Sequence, residues 1–326
     1  MQGKAEIDSI PVRIHQIRTV HLCEGSFGPV SSILTQLAMG KKNNTMYDTP
    51  SNIHWAEDFQ TIYFGGMPVR LAKIRTMGLA MIEEGYHMIR ELAFGTALPV
   101  FDLSEVIDSM AWSSEFCRSD YSFINYTKNS ERIRVGHSFL LECAKGIKGG
   151  GRIVDRLLYN AQWIESARTV YLTMEKRFLR KLMVILHITG GQPACGPELG
   201  SIKVSNSIYS ARNIYVINGR MCFLTMYDKA RKRRGNSEYV VCSLPDRVSQ
   251  LLFQYLVFVR PFARVLDYRE SEWLFGDNRG PWAGVQLSWE LAKATNQHLG
   301  VRLTVSMWRY VAIGITVQYL IQNSKV

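Results

Sequence analysis

The stretch from Thr189 to Tyr227 constrains this chain most, because the structural period changes inside it. It reads TGGQPACGPELGSIKVSNSIYSARNIYVINGRMCFLTMY. Before it, from Ser166 to Ile188, the residues Tyr171, Met174, Phe178, Leu182 and Ile185 recur at helical spacing. Glu175, Lys176, Arg177, Arg180 and Lys181 cover much of the remaining surface of that helix. Gly190 and Gly191 terminate it. After the Gly/Pro-rich turn, Ile214 to Ile217 and Met221 to Tyr227 are β-prone runs on either side of Asn218-Gly219. Asn-Gly tolerates the positive φ angles of a type I′ turn, so the two runs are expected to form a hairpin. Tyr239 to Cys242 can supply a third strand. Between the second and third runs lies Lys229-Ala230-Arg231-Lys232-Arg233-Arg234.

Length and charge bound the class. A chain of 326 residues suits two domains. With 47% apolar and 21% charged residues, it has enough apolar surface for a packed core. The net charge of +11 favours a polyanionic partner, nucleic acid first. An acidic membrane surface is the alternative, but no basic amphipathic helix with an aromatic face is evident. No run of about 18 apolar residues occurs, so no membrane span is expected. The opening MQGKAEIDSIPVRIHQIR has no apolar core of the signal-peptide kind. The six cysteines include no CxxC pair, which points to a reduced, intracellular protein. Cys222 and Cys242 either face each other across strands or are two buried thiols. The histidines show neither H-E-x-x-H nor Cys/His metal spacing, so neither metal nor cofactor is expected.

Elsewhere the pattern is mostly helical. Residues 1–50 are weakly patterned, with a polar loop at Lys41 to Thr45. Pro68 opens a helix carrying Leu71, Ile74, Gly78, Met81, Ile82, Ile89 and Leu92, and Gly95 and Pro99 close it. Residues 113–136 are polar and Ser/Asn-rich and are expected to be a loop. Lys145 to Arg152 reads as a flexible segment, because no Lys-Ser/Thr follows its glycines as a phosphate loop requires. Ser243 with Asp246 resembles a helix cap, with Pro245 in the first turn. That helix is expected to stop at Val259, before Pro261. Two more helices are expected over 283–299 and 304–320.

Four ordered blocks carry a family resemblance: GGQPACGPELGS, RNIYVINGRMCFLTMYDKAR, SLPDRVSQLLFQYLVFVRPF and WRYVAIGI. They are similar to the tyrosine-recombinase core of fungal Crypton-like mobile-element proteins, which often also carry zinc-finger and RecQ-type helicase regions. That core typically reads GGQPARGTELLS, RNIFIEDGLVVFVTRYHKGY, YLPREVGELLVYYLWLVLPF and YRHIAIAI. The similarity spans about residues 30–321 and is weakest before Val106. It implies a mainly α fold with a small antiparallel β-sheet. A helical core-binding-like domain would cover 1–165, and a truncated tyrosine-recombinase-like catalytic domain 166–326.

The chemistry implied is attack by a tyrosine hydroxyl on a DNA phosphodiester, giving a phosphotyrosine. Two arginines and a lysine or histidine hold the phosphoryl charge that builds in the transition state. A hairpin lysine protonates the leaving oxygen. The family's R-x-x-E-L box has Cys195 at its arginine, followed by Glu198-Leu199. Its H-x-x-R-H box reads Ser306-Met307-Trp308-Arg309-Tyr310, so Arg309 is kept and Tyr310 stands at the closing histidine. Lys229 occupies the hairpin-lysine position. A Gly-His box and the nucleophilic tyrosine would follow about residue 325 in the family spacing, so the resemblance implies a truncated copy. Arginine to cysteine and histidine to tyrosine are each one C-to-T change, the signature of repeat-induced decay in fungi.

The resemblance therefore implies a degenerate recombinase remnant that binds DNA, is nuclear, and does not cut. One alternative is a recombinase whose tyrosine comes from another chain. Another is a non-catalytic interaction protein or pseudogene product. Self-association is open. Tyr319 lies too near Arg309 in sequence to serve as the nucleophile. Cys195 is a bland substitution or a nucleophile, for which His187 would be the base. The basic run is a solvated hairpin tip, a phosphate contact or a nuclear localisation signal. Arg231, Lys232, Arg233 and Arg234, with Arg212 at the head of the hairpin, are the DNA-binding candidates.

Overall fold

Short alternating runs and a Gly-Gly turn build the first element. In the computed structural model, which describes residues 53–108, 118–144, 157–159, 162–191, 193–227, 238–268, 271–277 and 279–323, β1 (Ile53–Trp55), β2 (Thr61–Phe64) and β3 (Met67–Arg70) form an antiparallel meander. Gly65 and Gly66, at φ 55° and 78°, make the turn between β2 and β3. Ile62, Phe64 and Val69 are buried, while His54 and Tyr63 stack across strands at 4.8 Å. Pro68, expected to open a helix, lies in β3, which is an edge strand and can spare an amide.

Helix α1 (Leu71–Leu92) follows, burying Met77, Met81, Ile82, Ile89 and Leu92. Gly85 marks its closest approach to neighbours: a Cβ there would lie 2.8 Å from Leu251 Cδ2 and 3.2 Å from Ile185 Cδ1. The Gly95 amide donates to the Arg90 carbonyl at 2.8 Å and closes the helix end. The polar run expected to be a loop over 113–136 instead contains a 3-10 turn at Thr127–Asn129 and the start of α2 (Ser130–Ala144). Its polar residues serve the turn. Buried Asn129 accepts from the Ile107 amide and donates to the Ile107 and Phe123 carbonyls.

A small ribbon, β4 (Leu158–Tyr159) with β5 (Gln162–Trp163), leads into α3 (Glu165–Thr189). This helix packs along α1 and buries Tyr171, Phe178, Leu182 and Ile185 of the expected stripe. A single short turn of helix, α4 (Gly196–Gly200), precedes the sheet β6 (Ile214–Ile217), β7 (Arg220–Tyr227) and β8 (Glu238–Ser243), in that order. Asn218 and Gly219 sit at φ 51° and 74°, and Ile217 pairs with Arg220, as a type I′ hairpin requires.

Helix α5 (Asp246–Gln254) starts at Pro245, which takes the cap position without a side-chain cap hydrogen bond. The expected Ser243 cap is thereby corrected. The helix also does not stop before Pro261. It widens into a π-helical segment, Tyr255–Val259, and continues as α6 (Arg260–Asp267). A proline removes one helical amide, and the wide turn absorbs that defect. A two-stranded ribbon, β9 (Gly276–Asp277) with β10 (Gly280–Pro281), then leads to α7 (Gly284–Leu299) and α8 (Val305–Asn323).

The protein is thus mainly helical with small antiparallel sheets. It divides into two compact units. The larger is 53–225 with 241–312; the described residues of the smaller are 226–227, 238–240 and 313–323. Among the described residues, no helix is long and apolar enough to cross a membrane. Residues 1–50, with the Lys41 to Thr45 run, and Lys145 to Arg152 lie outside the described residues.

Candidate nucleic-acid interface

The turn after α3 is held backbone to backbone. A Cβ on Gly196 would lie 2.6 Å from the Gly284 carbonyl oxygen, and one on Gly284 would lie 2.7 Å from Pro197 Cδ. A Cβ on Gly200 would come 2.8 Å from the Trp282 carbonyl oxygen. Only glycine allows this contact, which seats α4 against the start of α7. Leu199 is fully buried beneath it. Cys195 therefore has a fixed position. Its amide donates to Glu198 Oε2 at 2.8 Å, and its thiol is free and half-buried. Burial pushes that thiol pKa up, and the Glu198 side chain adds to the rise. An activated thiolate needs the opposite setting, so the geometry favours the bland reading of Cys195.

Helix α8 supplies the second box. Trp308 and Val311 are buried and anchor the helix, which leaves Arg309 half-buried and Tyr310 40% exposed between them. The Tyr310 ring stacks on Phe64 of β2 at 6.3 Å. Far apart in sequence, Cys195 and Arg309 are near enough for the Arg309 charge to offset part of the rise in the Cys195 thiol pKa, as the smallest of the influences on it. That charge also acts on His187, in the last turn of α3. Burial first, then Arg309, drives the His187 pKa down to about 3, so this imidazole is neutral at neutral pH. His187 is 2% exposed, and neither ring nitrogen has a hydrogen-bond partner. All of these residues lie in the larger unit.

Arg212 is corrected. It was expected on a DNA-binding surface, yet its side chain is 1% exposed and pairs with Asp108, itself fully buried. Arg212 Nη2 donates to Asp108 Oδ1 at 2.6 Å, and Nη1 donates to Asp108 Oδ2 and to the Ile214 carbonyl. The guanidinium lies between the rings of Tyr121 and Tyr215, at 4.8 and 4.2 Å. Asp108 Oδ2 also accepts from the Val216 amide at 2.8 Å. The ion pair thus covers the outer edge of β6, which would otherwise offer unpaired backbone groups. It is structural.

Lys229, Arg231, Lys232, Arg233 and Arg234 follow β7 in sequence and lie outside the described residues. Cys222 and Cys242 are both free, buried thiols, and burial raises Cys242 to about 12. Among the described residues, no group of three or more His, Cys, Asp or Glu is arranged to hold a metal ion. Tyr310 meeting Phe64 had no sequence signal, because the three-residue and four-residue strands are too short to announce themselves. No family model matches this chain, and no solved structure matches it.

Proposed function

We propose that this chain is a tyrosine-recombinase-like protein that binds DNA through its phosphates and does not cleave it. The observation that carries the proposal is that the Arg309 charge acts on the Cys195 thiol across more than a hundred residues of sequence. The recombinase pattern assigns both positions to phosphate-holding arginines, and the charge of Arg309 on α8 is felt at the Cys195 thiol before α4. A shared phosphate would need that nearness. One of the two is now a neutral thiol, and Tyr310 stands where the pattern has a histidine. Removing one donor from an oxyanion-type site costs about 10²–10³ in rate. A site lacking two of its charge-holding groups retains binding better than catalysis, because a bound phosphate needs less stabilisation than the transition state.

The net charge of +11 supports a polyanionic partner. Contacts of this kind track the backbone with little base reading, so affinity falls steeply with salt. The test is fluorescence anisotropy of labelled duplex DNA across a salt series, run beside a nicked suicide duplex on a denaturing gel. The expected result is salt-steep binding with no covalent adduct. An adduct would make the chain an enzyme. Absence of salt-dependent binding would remove DNA as the partner.

A further inference from the structure

We propose that two copies of this chain pair through a knob and a slot at opposite ends of β6, with Tyr209 of each copy entering the slot beside the hairpin turn of the other.

The knob is the loop that precedes β6. Ile208 is 81% exposed and Tyr209 is 94% exposed, two large apolar side chains side by side in water. The loop that carries them is tightly clamped. The Ser207 amide donates to the Ser210 carbonyl at 2.9 Å, and the Ser210 amide donates to Ser207 Oγ at 3.2 Å. Lys203 Nζ donates to Ser210 Oγ at 2.7 Å while paired with Glu272 at 2.8 Å. The Arg212 amide donates to Asn206 Oδ1 at 2.9 Å and closes the loop. A loop fixed in this way loses little conformational freedom when it docks.

The slot lies beside the other end of β6. Its volume is about 430 Å³, within the ~300–1,000 Å³ of sites that take small organic groups. Leu103, Val106, Val216 and Ile217 give it apolar walls, and Ser104 and the Asn218-Gly219 turn complete its lining. These walls are fixed too. The Ser104 amide and Oγ both donate to Asp102 Oδ1, at 2.9 and 2.6 Å, and the Val216 amide donates to Asp108 Oδ2 at 2.8 Å. In an antiparallel ladder the amide and carbonyl of one residue point the same way. The Val216 amide leaves the sheet for Asp108, so its carbonyl also faces outward. Apolar walls with one backbone acceptor suit a phenol, the ring against the walls and the hydroxyl donating to the carbonyl.

Tyr209 stands in water, so it does not fill the slot of its own chain. Knob and slot belong to the two ends of one strand edge. The Asn206 amide of the knob loop donates to the Tyr121 carbonyl at 2.9 Å, and the Tyr121 ring lies 4.8 Å from the Arg212 guanidinium that covers this edge. A two-fold axis across the edge sets the two β6 strands antiparallel. Each head then meets the other's tail, and both contacts form at once. The contact is small, so the pairing is weak and reversible. Each copy carries a net charge of +11, so salt should strengthen the pairing by screening the repulsion. Phosphate binding has the opposite salt dependence.

The test is sedimentation velocity of the full chain over a concentration series at low and high salt. The expected result is a monomer–dimer equilibrium that tightens with salt. Tyr209→Ala changes a side chain that stands in water, so the fold should survive while pairing weakens by roughly tenfold or more. Tyr209→Phe, which keeps the ring, should retain most of the pairing. Position is read by mixing a Tyr209→Cys protein with a Ser104→Cys protein under mild oxidation. A disulfide joining the two introduced cysteines should form in the mixture. A chain that stays monomeric at every concentration and salt would overturn the proposal. So would a dimer indifferent to Tyr209→Ala, or a cross-link joining two 209 positions. A monomer in which Tyr209→Ala weakens duplex binding would assign the knob to DNA and overturn the pairing.

Discussion

Two buried charged regions in the larger unit differ in one respect. Around Arg212, the guanidinium meets a bidentate carboxylate, a carbonyl and two aromatic faces, and the carboxylate also accepts from a strand amide. Around Arg309 the pairing is incomplete, with two orphaned imidazole nitrogens and a neutral thiol nearby. Sequence gives both arginines the same basic label. The fold uses the first as a fastener for the hairpin edge and leaves the second half-buried on α8.

The contrast can be broken at the fastener first. Asp108→Ala leaves a buried guanidinium unpaired and should destabilise the chain by about 3–5 kcal/mol in urea unfolding. An Asp108→Leu, Arg212→Met double variant should recover much of that loss, because it buries no charge. Equal destabilisation by single and double variants would mean that packing, not pairing, holds this region.

The open region should report itself through pH. His187 is held neutral in the fold, with its pKa lowered from 6.5 to about 3. A depressed pKa contributes stability that is present above the unfolded value and is lost as pH falls. Stability should therefore decline between about pH 6.5 and pH 3, by up to about 1.4 kcal/mol per pH unit from this group. His187→Phe should flatten that slope. An unchanged slope would show that other groups carry the acid sensitivity.

Smaller effects sharpen the picture. Gly196→Ala forces a Cβ into the Gly284 backbone and should lower stability by about 1–3 kcal/mol. It should also weaken DNA binding, since Cys195 and its neighbours shift with it. Stability loss with unchanged DNA affinity would separate that turn from the interface. In the core, burial raises the Glu175 carboxyl pKa, although Tyr255 donates to it at 2.6 Å. A raised carboxyl pKa means that stability is greatest below the unfolded value and falls as pH climbs past it. Glu175→Gln keeps an acceptor and sheds the charge, so at neutral pH it should match or exceed the parent by about 1 kcal/mol. A clear loss would show that the charged form is needed there.

How much of this was legible depended on whether the cause was local. Asn218-Gly219 fixes a hairpin by its own backbone preference, and the hairpin is there. The apolar stripe of α3 was readable because its period is intrinsic to a helix. The meander over Ile53–Arg70 was missed because runs of three or four residues carry too little period. Pro261 read as a stop because its effect depends on a π-helical turn that no local rule supplies. The Cys195 and Arg309 positions came from the family resemblance. The burial of Arg212 could not be read in the sequence, since its carboxylate partner lies far away in sequence and only the fold brings them together.

The most direct test of the central claim compares duplex DNA binding by the parent, Arg309→Ala and Cys195→Arg over a salt series. If Arg309 and the Cys195 position face one phosphate, Arg309→Ala should weaken binding and reduce the salt slope by about one. Cys195→Arg should tighten binding and steepen the slope by a similar amount. Identical affinities and slopes for all three proteins would contradict the account, because the two positions would then have no phosphate in common.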